Sequence, residues 1–598
     1  MTKLPVSTER LQAFSRLARR AYSKFLPQIA LLTVLSFVGG VLEGIGINAV
    51  IPLLTFIVNV SGQATDAISN MLRNLFVVLH IDFAPKSLLI FIVVLFIFRT
   101  IVMFIVYYIQ IRIAADYERS TRERLFDVML RASWPHLLKE KLGHLETVVM
   151  VDVPASTGLL RFISVIITLF SGLVIYLLVA FNISAIITLI TIGFGVLFFV
   201  IFKPLLTLIR VQGAKRVQAN RATANHVGEH IAGIKSVKAA GVEDAVITKG
   251  HHLFRELLNV NVNISLMQQI PVLVIPPLGI IYIALIFGID FRTHFMPLAA
   301  LPAIVYLIYR MFTYIQQLQS ALQGATEMFP HLQSVLKYQD DASGQAEERN
   351  GQALFGFERT LEFDSVGFAY EEGGDVLHDV SFSIEKGSMA GLIGPSGAGK
   401  TTCVDLMLRL LSAKSGSLRL DGVDSRQIAL ESWRKKIAYV SQDLFLLNDS
   451  IRNNIAFYGD SVTDEEIWDA ARLAQVDDVI KQSINGLDTV IGERGLKLSA
   501  GQRQRLVIAR ALVRKPELLI LDEATSALDT ESEDKIKQAI HSLKGKTTII
   551  AIAHRLSTIM DADKLIVLEK GKVIEEGPPQ ELLKDKDSYF FKVNAIVA

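Results

Sequence analysis

The chain has 598 residues, 61 Lys+Arg against 59 Asp+Glu, and 51% hydrophobic residues. Its mean hydropathy of +0.40 excludes a disordered chain, which needs low hydropathy and high charge, and equally a wholly soluble one. A net charge of +2 excludes a strongly basic nucleic-acid binder, and a lone cysteine, Cys403, excludes a disulfide framework or a multi-cysteine zinc site.

The first 25 residues carry Lys3, Arg10, Arg16, Arg19, Arg20 and Lys24 against Glu9 alone. Their apolar residues Leu11, Phe14, Leu17, Ala18, Ala21, Tyr22 and Phe25 recur at helical spacing. Residues 1–25 therefore read as an amphipathic helix lying on the membrane surface. The apolar run that follows is about 30 residues long, far more than a signal-peptide core, so no cleaved signal is expected. With only about 25 residues before it, no Cys–His peptidase domain is expected there either.

Apolar runs then recur at 26–60, 88–115, 162–181, 183–202, 264–289 and 297–320. Each supplies the ~20 residues that cross a bilayer as a helix. Arg119, Arg122, Arg124, Arg131, Lys139 and Lys141 follow the second run, and a second basic set from Lys203 to Arg255 follows the fourth. The connections after runs one, three and five are poor in Lys and Arg, which places the N-terminus and both basic connections on the cytoplasmic side. These two connections, roughly 40 and 60 residues, are sparse in Gly, Pro and Asn, so the spans are expected to continue as helices into the cytoplasm. Pro271, Pro276 and Pro277 are expected to kink the fifth span.

The texture changes at Gln339–Gly351 (QDDASGQAEERNG), a polar and turn-prone stretch. The expected division is a six-span α-helical transmembrane domain at 26–338, a linker at 339–357 and a soluble α/β domain of the P-loop NTPase type at 358–598. In the last, Gly394-Pro-Ser-Gly-Ala-Gly-Lys-Thr401 fits G-x-x-x-x-G-K-[ST], between the apolar run Met389–Ile393 and a helical pattern. Backbone N–H groups of such a loop close around phosphates at a helix N-terminus. The nucleotide-binding set here is Gly394, Ser396, Gly397, Gly399, Lys400, Thr401 and Thr402, with Lys400 reaching the β- and γ-phosphates and Thr401 ligating Mg²⁺. Leu518-Leu-Ile-Leu-Asp-Glu523 is a buried-strand pattern ending in two carboxylates. Asp522 suits the metal, and Glu523 suits the base that polarises an attacking water.

Between these motifs lies Leu498-Ser-Ala-Gly-Gln502, which resembles the LSGGQ signature of ABC-transporter ATPases with Ala500 in place of one glycine. Further elements follow that family's order, and the resemblance implies their roles. Tyr370 stacks on adenine. Gln442 is the Q-loop glutamine, a metal ligand and catalytic partner. Ser499, Gly501 and Gln502 contact nucleotide, as does Asp529 of the D-loop in Ser526-Ala-Leu-Asp529. His554 is the switch histidine. Ile491-Gly-Glu-Arg-Gly495 is similar to the segment preceding the signature in exporters. Six spans fused ahead of one such domain resemble an exporter half-transporter, with coupling helices near Ser133–Asp152 and Val227–Asp244. The cofactors implied are ATP and Mg²⁺. One phosphate loop and one signature per chain imply a homodimer, with a heterodimer as the alternative. The localisation implied is a bacterial cytoplasmic (inner) membrane, with the N-terminus and the ATPase domain cytoplasmic and no nucleic-acid partner.

Three ionisable residues fall deep inside apparent spans: Glu43, Arg99 and Arg310. Each is expensive in hydrocarbon, so they must face one another or a cavity. As a cavity, two arginines against one carboxylate point to an anionic or amphipathic substrate. Leu42-Glu-Gly-Ile-Gly-Ile-Asn48 followed by Ile51-Pro-Leu53 resembles the first span of lipid-linked oligosaccharide flippases and related glycolipid exporters. For Gly39, Gly40, Gly44 and Gly46, close helix packing is the competing reading. The expected function is ATP-driven flipping or export, by alternating access, of an amphipathic substrate (a lipid-linked oligosaccharide, a glycolipid or a phospholipid-like molecule); a peptide or multidrug exporter is the alternative. Intact Glu523, Gln442 and His554 speak against a non-transporting regulator or channel.

Overall fold

The computed structural model describes residues 7–592 apart from 58–72, 75, 79, 140–141, 184, 294–300, 371–372, 460, 524–529 and 553–558. Two compact units divide the chain: Met1–Ala132 with His136–Ala346, and Ser133–Pro135 with Glu347–Ala598.

The first unit is helical. A surface helix α1 (Ser7–Tyr22) leads through a 3₁₀ turn, Ser23–Phe25, into α2 (Leu26–Asn48), whose Pro27 sits in the first turn where no intrahelical N–H partner is needed. Then come α3 (Pro85–Leu130), α4 (Val153–Ile183), α5 (Ala185–Ala232), α6 (Glu243–Thr293) and α7 (Leu301–Gly344). Among the described residues, five helices are long and apolar enough to cross a membrane. The sixth, α7, is 44 residues long but dilutes its apolar stretch with Arg310 and a run of glutamines. Helices α3, α5 and α6 have 46, 48 and 51 residues. At 1.5 Å per residue each reaches ~70 Å, against a hydrocarbon core of ~30 Å, so the charged connections are helical extensions of the spans. Large apolar side chains point outward along these helices, such as Phe104 (72% exposed) and Leu273 (70%). Such a surface belongs in lipid.

Both long connections are broken by short helices. Trp134–Lys139 and Leu142–Thr147 precede a π-helical turn at Val148–Asp152. Ile234–Ala240 ends on Gly241 at φ 63°, the left-handed cap that glycine adopts without strain. Pro271, Pro276 and Pro277 lie inside α6, whose helix continues through them. Helix α7 runs through Gly344, into the polar segment read as linker, because Tyr338, Gln339 and Ala342 form a buried stripe on it. The glycines of α2 are contact points. A Cβ on Gly39 would lie 2.9 Å from the Met103 sulfur, and one on Gly44 2.8 Å from Ile175.

The second unit is built on two sheets. A mostly parallel six-stranded sheet has the order β10-β9-β3-β8-β7-β6. Its strands are β3 (Met389–Ile393), β6 (Ile437–Val440), β7 (Leu518–Asp522), β8 (Thr548–Ile552), β9 (Lys564–Glu569) and β10 (Lys572–Gly577). β3, β7 and β8 are buried at every position, as a parallel sheet covered on both faces requires. A four-stranded antiparallel sheet, order β2-β1-β4-β5, is formed by β1 (Thr360–Ala369), β2 (Asp375–Glu385), β4 (Ser415–Leu420) and β5 (Val423–Asp424). Cys403 packs in the core at 0% exposure, and burial pushes its thiol up to about 12.

Candidate functional site

The carboxyl ends of the parallel strands gather the predicted nucleotide residues, where open α/β sheets bind their ligands. β3 ends at Ile393, and the chain turns through Gly394–Gly399 into the helix Lys400–Met407, here α8. Gly394 has φ 148°, and a Cβ there would lie 2.0 Å from the Leu568 carbonyl oxygen. Gly399, at φ 103°, caps α8, and a Cβ there would lie 2.5 Å from Leu377. Only glycine makes this turn, and the turn is what brings backbone N–H groups together as an anion cradle. Lys400 Nζ donates to the carbonyl oxygens of Gly394 (2.7 Å) and Pro395 (3.0 Å), folded over the loop that a phosphate would share with it. Burial lowers the Lys400 ammonium, and the carboxylates of Glu523 and Asp522 oppose that. Ser396, Gly397 and Thr401 are exposed on the loop side, whereas Thr402 packs inward.

β7 delivers the two carboxylates. Asp522 is 8% exposed and accepts from the Tyr439 hydroxyl at 3.2 Å. Glu523 leaves the strand with φ 49°, an unusual conformation for a non-glycine residue. Its N–H is held by the Ile552 carbonyl at the end of β8 (2.9 Å). Its Oε2 accepts from Gln442 Nε2 at 2.7 Å, so β6 and β7 bring the Q-loop glutamine onto the proposed base. Burial, and then the charge of Asp522, push the Asp405 carboxyl up to about 6. The hydroxyl of Thr401, the carboxylate of Asp522 and the amide of Gln442 offer hard oxygen donors of the kind Mg²⁺ takes. The loop and these donors thus fit a nucleoside triphosphate with its magnesium.

The signature segment forms a helix start. Ser499 caps the helix Ala500–Leu512, here α9: its hydroxyl accepts from the Gln502 N–H (3.2 Å), and the Gln502 amide oxygen accepts from the Ser499 N–H (2.9 Å). Ala500, in place of the family glycine, is the first helical residue and needs no special backbone angle. The Gly501 backbone is buried beside it. Tyr370 follows β1, 38% exposed and edge-on to Phe368. Asp529 and His554 lie outside the described residues. Two residues that motif reading overlooked support this face. Tyr439 holds Asp522. Arg510, on α9, donates to the Phe445 carbonyl (2.6 Å) and to Asn454 (2.7 and 2.9 Å), tying the signature helix to the chain after Gln442. An arginine set inside Leu506–Leu512, an otherwise apolar run, was the available signal.

In the membrane unit, Glu43, Arg99 and Arg310 meet. Arg99 Nη2 donates to one Glu43 oxygen at 2.7 Å and Arg310 Nη2 to the other at 2.8 Å. Tyr314 donates to Glu43 at 3.4 Å, and Arg310 Nε donates to the Tyr176 hydroxyl at 3.2 Å. The Arg310 guanidinium also sits 5.0 Å from the Tyr314 ring centroid. Glu43 is 3% exposed, while the arginine side chains keep 24% and 27%. The buried Arg99 Nε has no hydrogen-bond partner among the described residues. Beside this cluster, α4, α5, α6 and α7 enclose an apolar cavity of about 270 Å³, lined by Leu173, Phe198, Phe202, Ile275, Met311 and Ile315 among others. Tyr176 and Tyr314 were not read from the sequence, since a tyrosine in a span has many uses.

Comparison with known proteins bears on both units. Residues 29–289 match the family described as "ABC transporter transmembrane region", and residues 377–526 match "ABC transporter". The "Heterocyst differentiation ATP-binding protein HepA" of Nostoc sp. is 32% identical over 471 residues, covering 78% of this chain and 76% of that one. The "ATP-dependent lipid A-core flippase" of Coxiella burnetii is 33% identical over 514 residues, covering 83% and 85%. The solved structure of a bacterial Atm1-family ABC exporter with ATP bound superposes with a TM-score of 0.77 at 23% identity, covering 97% of this chain and 98% of that one. At that identity the likeness concerns the fold.

Proposed function

Because the chain belongs to the ABC transporters, as an exporter half-transporter with its membrane domain fused to its ATPase domain, we propose that it flips or exports an anionic amphipathic molecule, of the lipid-linked saccharide or glycolipid class. It is a multi-pass membrane protein whose ATP hydrolysis drives transport. The observation that carries the substrate class is the pairing of the Arg99–Glu43–Arg310 cluster with the apolar cavity beside it. Helix α7 contributes Arg310 and Tyr314 to the first, and Met311 and Ile315 to the second. One carboxylate between two arginines leaves one positive charge in excess. An acyl or polyprenyl chain suits the cavity, and its anionic head suits the arginines. The first-span likeness to lipid-linked oligosaccharide flippases and the flippase relative support the same class. The almost wholly apolar cavity lining favours a multidrug exporter as the second reading.

ATP supplies the anhydride whose cleavage releases the driving energy, with Mg²⁺ neutralising its charge. The chain's own residues do the rest. The glycine loop and Lys400 bind and orient the phosphates, and Thr401, Asp522 and Gln442 hold the cation. Glu523 accepts a proton from the attacking water on its carboxylate, oriented by the Gln442 amide. His554 keeps the γ-phosphate contact that the family resemblance assigns it. Two copies, each offering its signature to the other's phosphate loop, complete two sites in a bacterial inner membrane.

The test is ATPase stimulation of the reconstituted protein by polyprenyl-diphosphate saccharides, glycolipids and uncharged or cationic drugs. Anionic amphiphiles are expected to stimulate, and Arg310→Gln to raise the half-maximal concentration about tenfold, the scale of a lost charge-assisted contact. Stimulation by drugs alone, unchanged in Arg310→Gln, sinks the anionic-substrate reading.

A further inference from the structure

A second cavity in the membrane unit lies apart from the proposed cargo path. It measures about 260 Å³ and is enclosed by the turn after α1, by the cytoplasmic part of α3 and by α7. Its polar rim carries Arg20, Lys24 and Arg124 with the hydroxyls of Ser23, Ser120 and Thr121. Its floor is apolar: Phe25 and Tyr117 are 5% and 4% exposed and meet edge to face.

The charges are arranged unevenly. Arg20 is neutralised by Asp340, to which it donates through both Nη atoms. Arg124 has a neutral partner: with the Gln339 amide turned to suit its surroundings, the guanidinium donates to the amide oxygen at 2.6–3.2 Å. Gln339 is 7% exposed, so this amide is a buried part of the wall. Lys24 forms no ion pair or hydrogen bond among the described residues. Three cations thus face one carboxylate, and the two excess charges share one cavity. Their position along the chain sets their depth. Lys24 closes the basic N-terminal segment, and the next residue but one, Leu26, opens the first span. Leu26 and Leu31 are 47% and 51% exposed. The cavity mouth therefore sits where the chain passes from charged to apolar, at headgroup level on the side that the basic connections mark as cytoplasmic.

We propose that this cavity holds the phosphate headgroup of an anionic phospholipid of the inner leaflet, as a resident lipid that ties the surface helix to α3 and α7. The phosphodiester lies between Lys24 and Arg124 with Ser23 and Thr121 beside it, and the acyl chains leave along Leu26 and Leu31. A soluble phosphate has the same head chemistry but no use for the aromatic floor or the apolar exit. The assignment is independent of the cargo class.

The full-length protein, purified in detergent, is titrated with phosphatidylglycerol and, separately, phosphatidylcholine, and bound lipid is counted by native mass spectrometry. Wild type is expected to take phosphatidylglycerol in preference. Lys24→Gln/Arg124→Gln is expected to bind it on the order of thirty-fold more weakly, and Lys24→Gln alone about fivefold, from about 1 kcal/mol per basic residue near a lipid surface. Phosphatidylcholine binding is expected to be equal in all three. The single variant alters an exposed, unpaired side chain and so reports even if the double variant misfolds. Phosphatidylglycerol affinities within twofold across wild type and Lys24→Gln overturn the proposal. So does displacement of the lipid by millimolar inorganic phosphate, which reassigns the cavity to a soluble anion.

Discussion

The two units of this chain build their polar sites by opposite means. In the ATPase unit, the phosphate loop is a short run of backbone at the end of β3, with Asp522 and Glu523 arriving at the end of β7, beyond β8 in the same sheet. In the membrane unit, Glu43 meets Arg99 from 56 residues away and Arg310 from 267 residues away. The reason is the solvent. A strand end facing water can leave backbone N–H groups open for a ligand. A helix in hydrocarbon must satisfy its backbone internally, so a polar site there has only side chains to use, converging from several helices. Local backbone geometry controls the first kind of site, and mutual charge pairing controls the second.

That contrast is breakable, and the largest expected effect lies in the ATPase unit. Glu523→Gln keeps the Gln442 neighbour and the loop but loses the proton acceptor. ATP turnover is expected to fall by about 10²–10⁴-fold, with nucleotide binding retained in a filter or fluorescence assay. Near-normal turnover shows that another group serves as base. In the membrane unit, Glu43→Ala leaves two arginines without their shared carboxylate. Because both arginines are partly exposed, the loss is expected near the low end of the range for a broken buried pair, ~3 kcal/mol, read as a lowered Tm in detergent. Adding Arg310→Met to Glu43→Ala is expected to recover part of it, and strictly additive losses contradict the coupling. The smallest effect tests a local anchor of the ATPase unit. Asp421 accepts backbone N–H bonds from Glu358, Arg359 and Thr360. Burial alone would raise its pKa, but those three bonds hold it below the usual carboxylate value. A depressed folded-state pKa contributes stability that is present above the unfolded value of ~4 and is lost as pH falls through the folded one. Asp421→Asn is expected to cost less than ~1 kcal/mol at pH 7, given solvent screening, and nothing in the strongly acid range. A loss independent of pH argues for packing instead.

The two regions also differ in how much could be read before folding. Gly394, Lys400 and Ser499 were legible because each stands at a set spacing within a few residues of its partners, and the turn or cap they form is local; Asp522 was legible as the carboxylate that ends an apolar strand pattern. Gln442 and Glu523 were legible as residues, but their hydrogen bond depends on β6 lying next to β7. Tyr439 and Arg510 were missed because their partners are distant along the chain and each residue type is common in cores or on surfaces. Helix α7 runs on past residue 338, into the stretch expected as linker, for a related reason. Its last turns are polar in composition, and only the buried stripe of Tyr338, Gln339 and Ala342 keeps them helical.

Apolar periodicity, basic connections and contiguous motifs were enough to determine a membrane domain joined to an ATPase domain, because these signals act over one helix or one turn. The expense of charge in hydrocarbon also required Glu43, Arg99 and Arg310 to find partners or a cavity. Only tertiary packing decided that one carboxylate takes both arginines, that Tyr176 and Tyr314 join them, and that an apolar cavity opens alongside. Those contacts join residues 56 to 271 positions apart, and no local preference of the chain encodes which helices lie together.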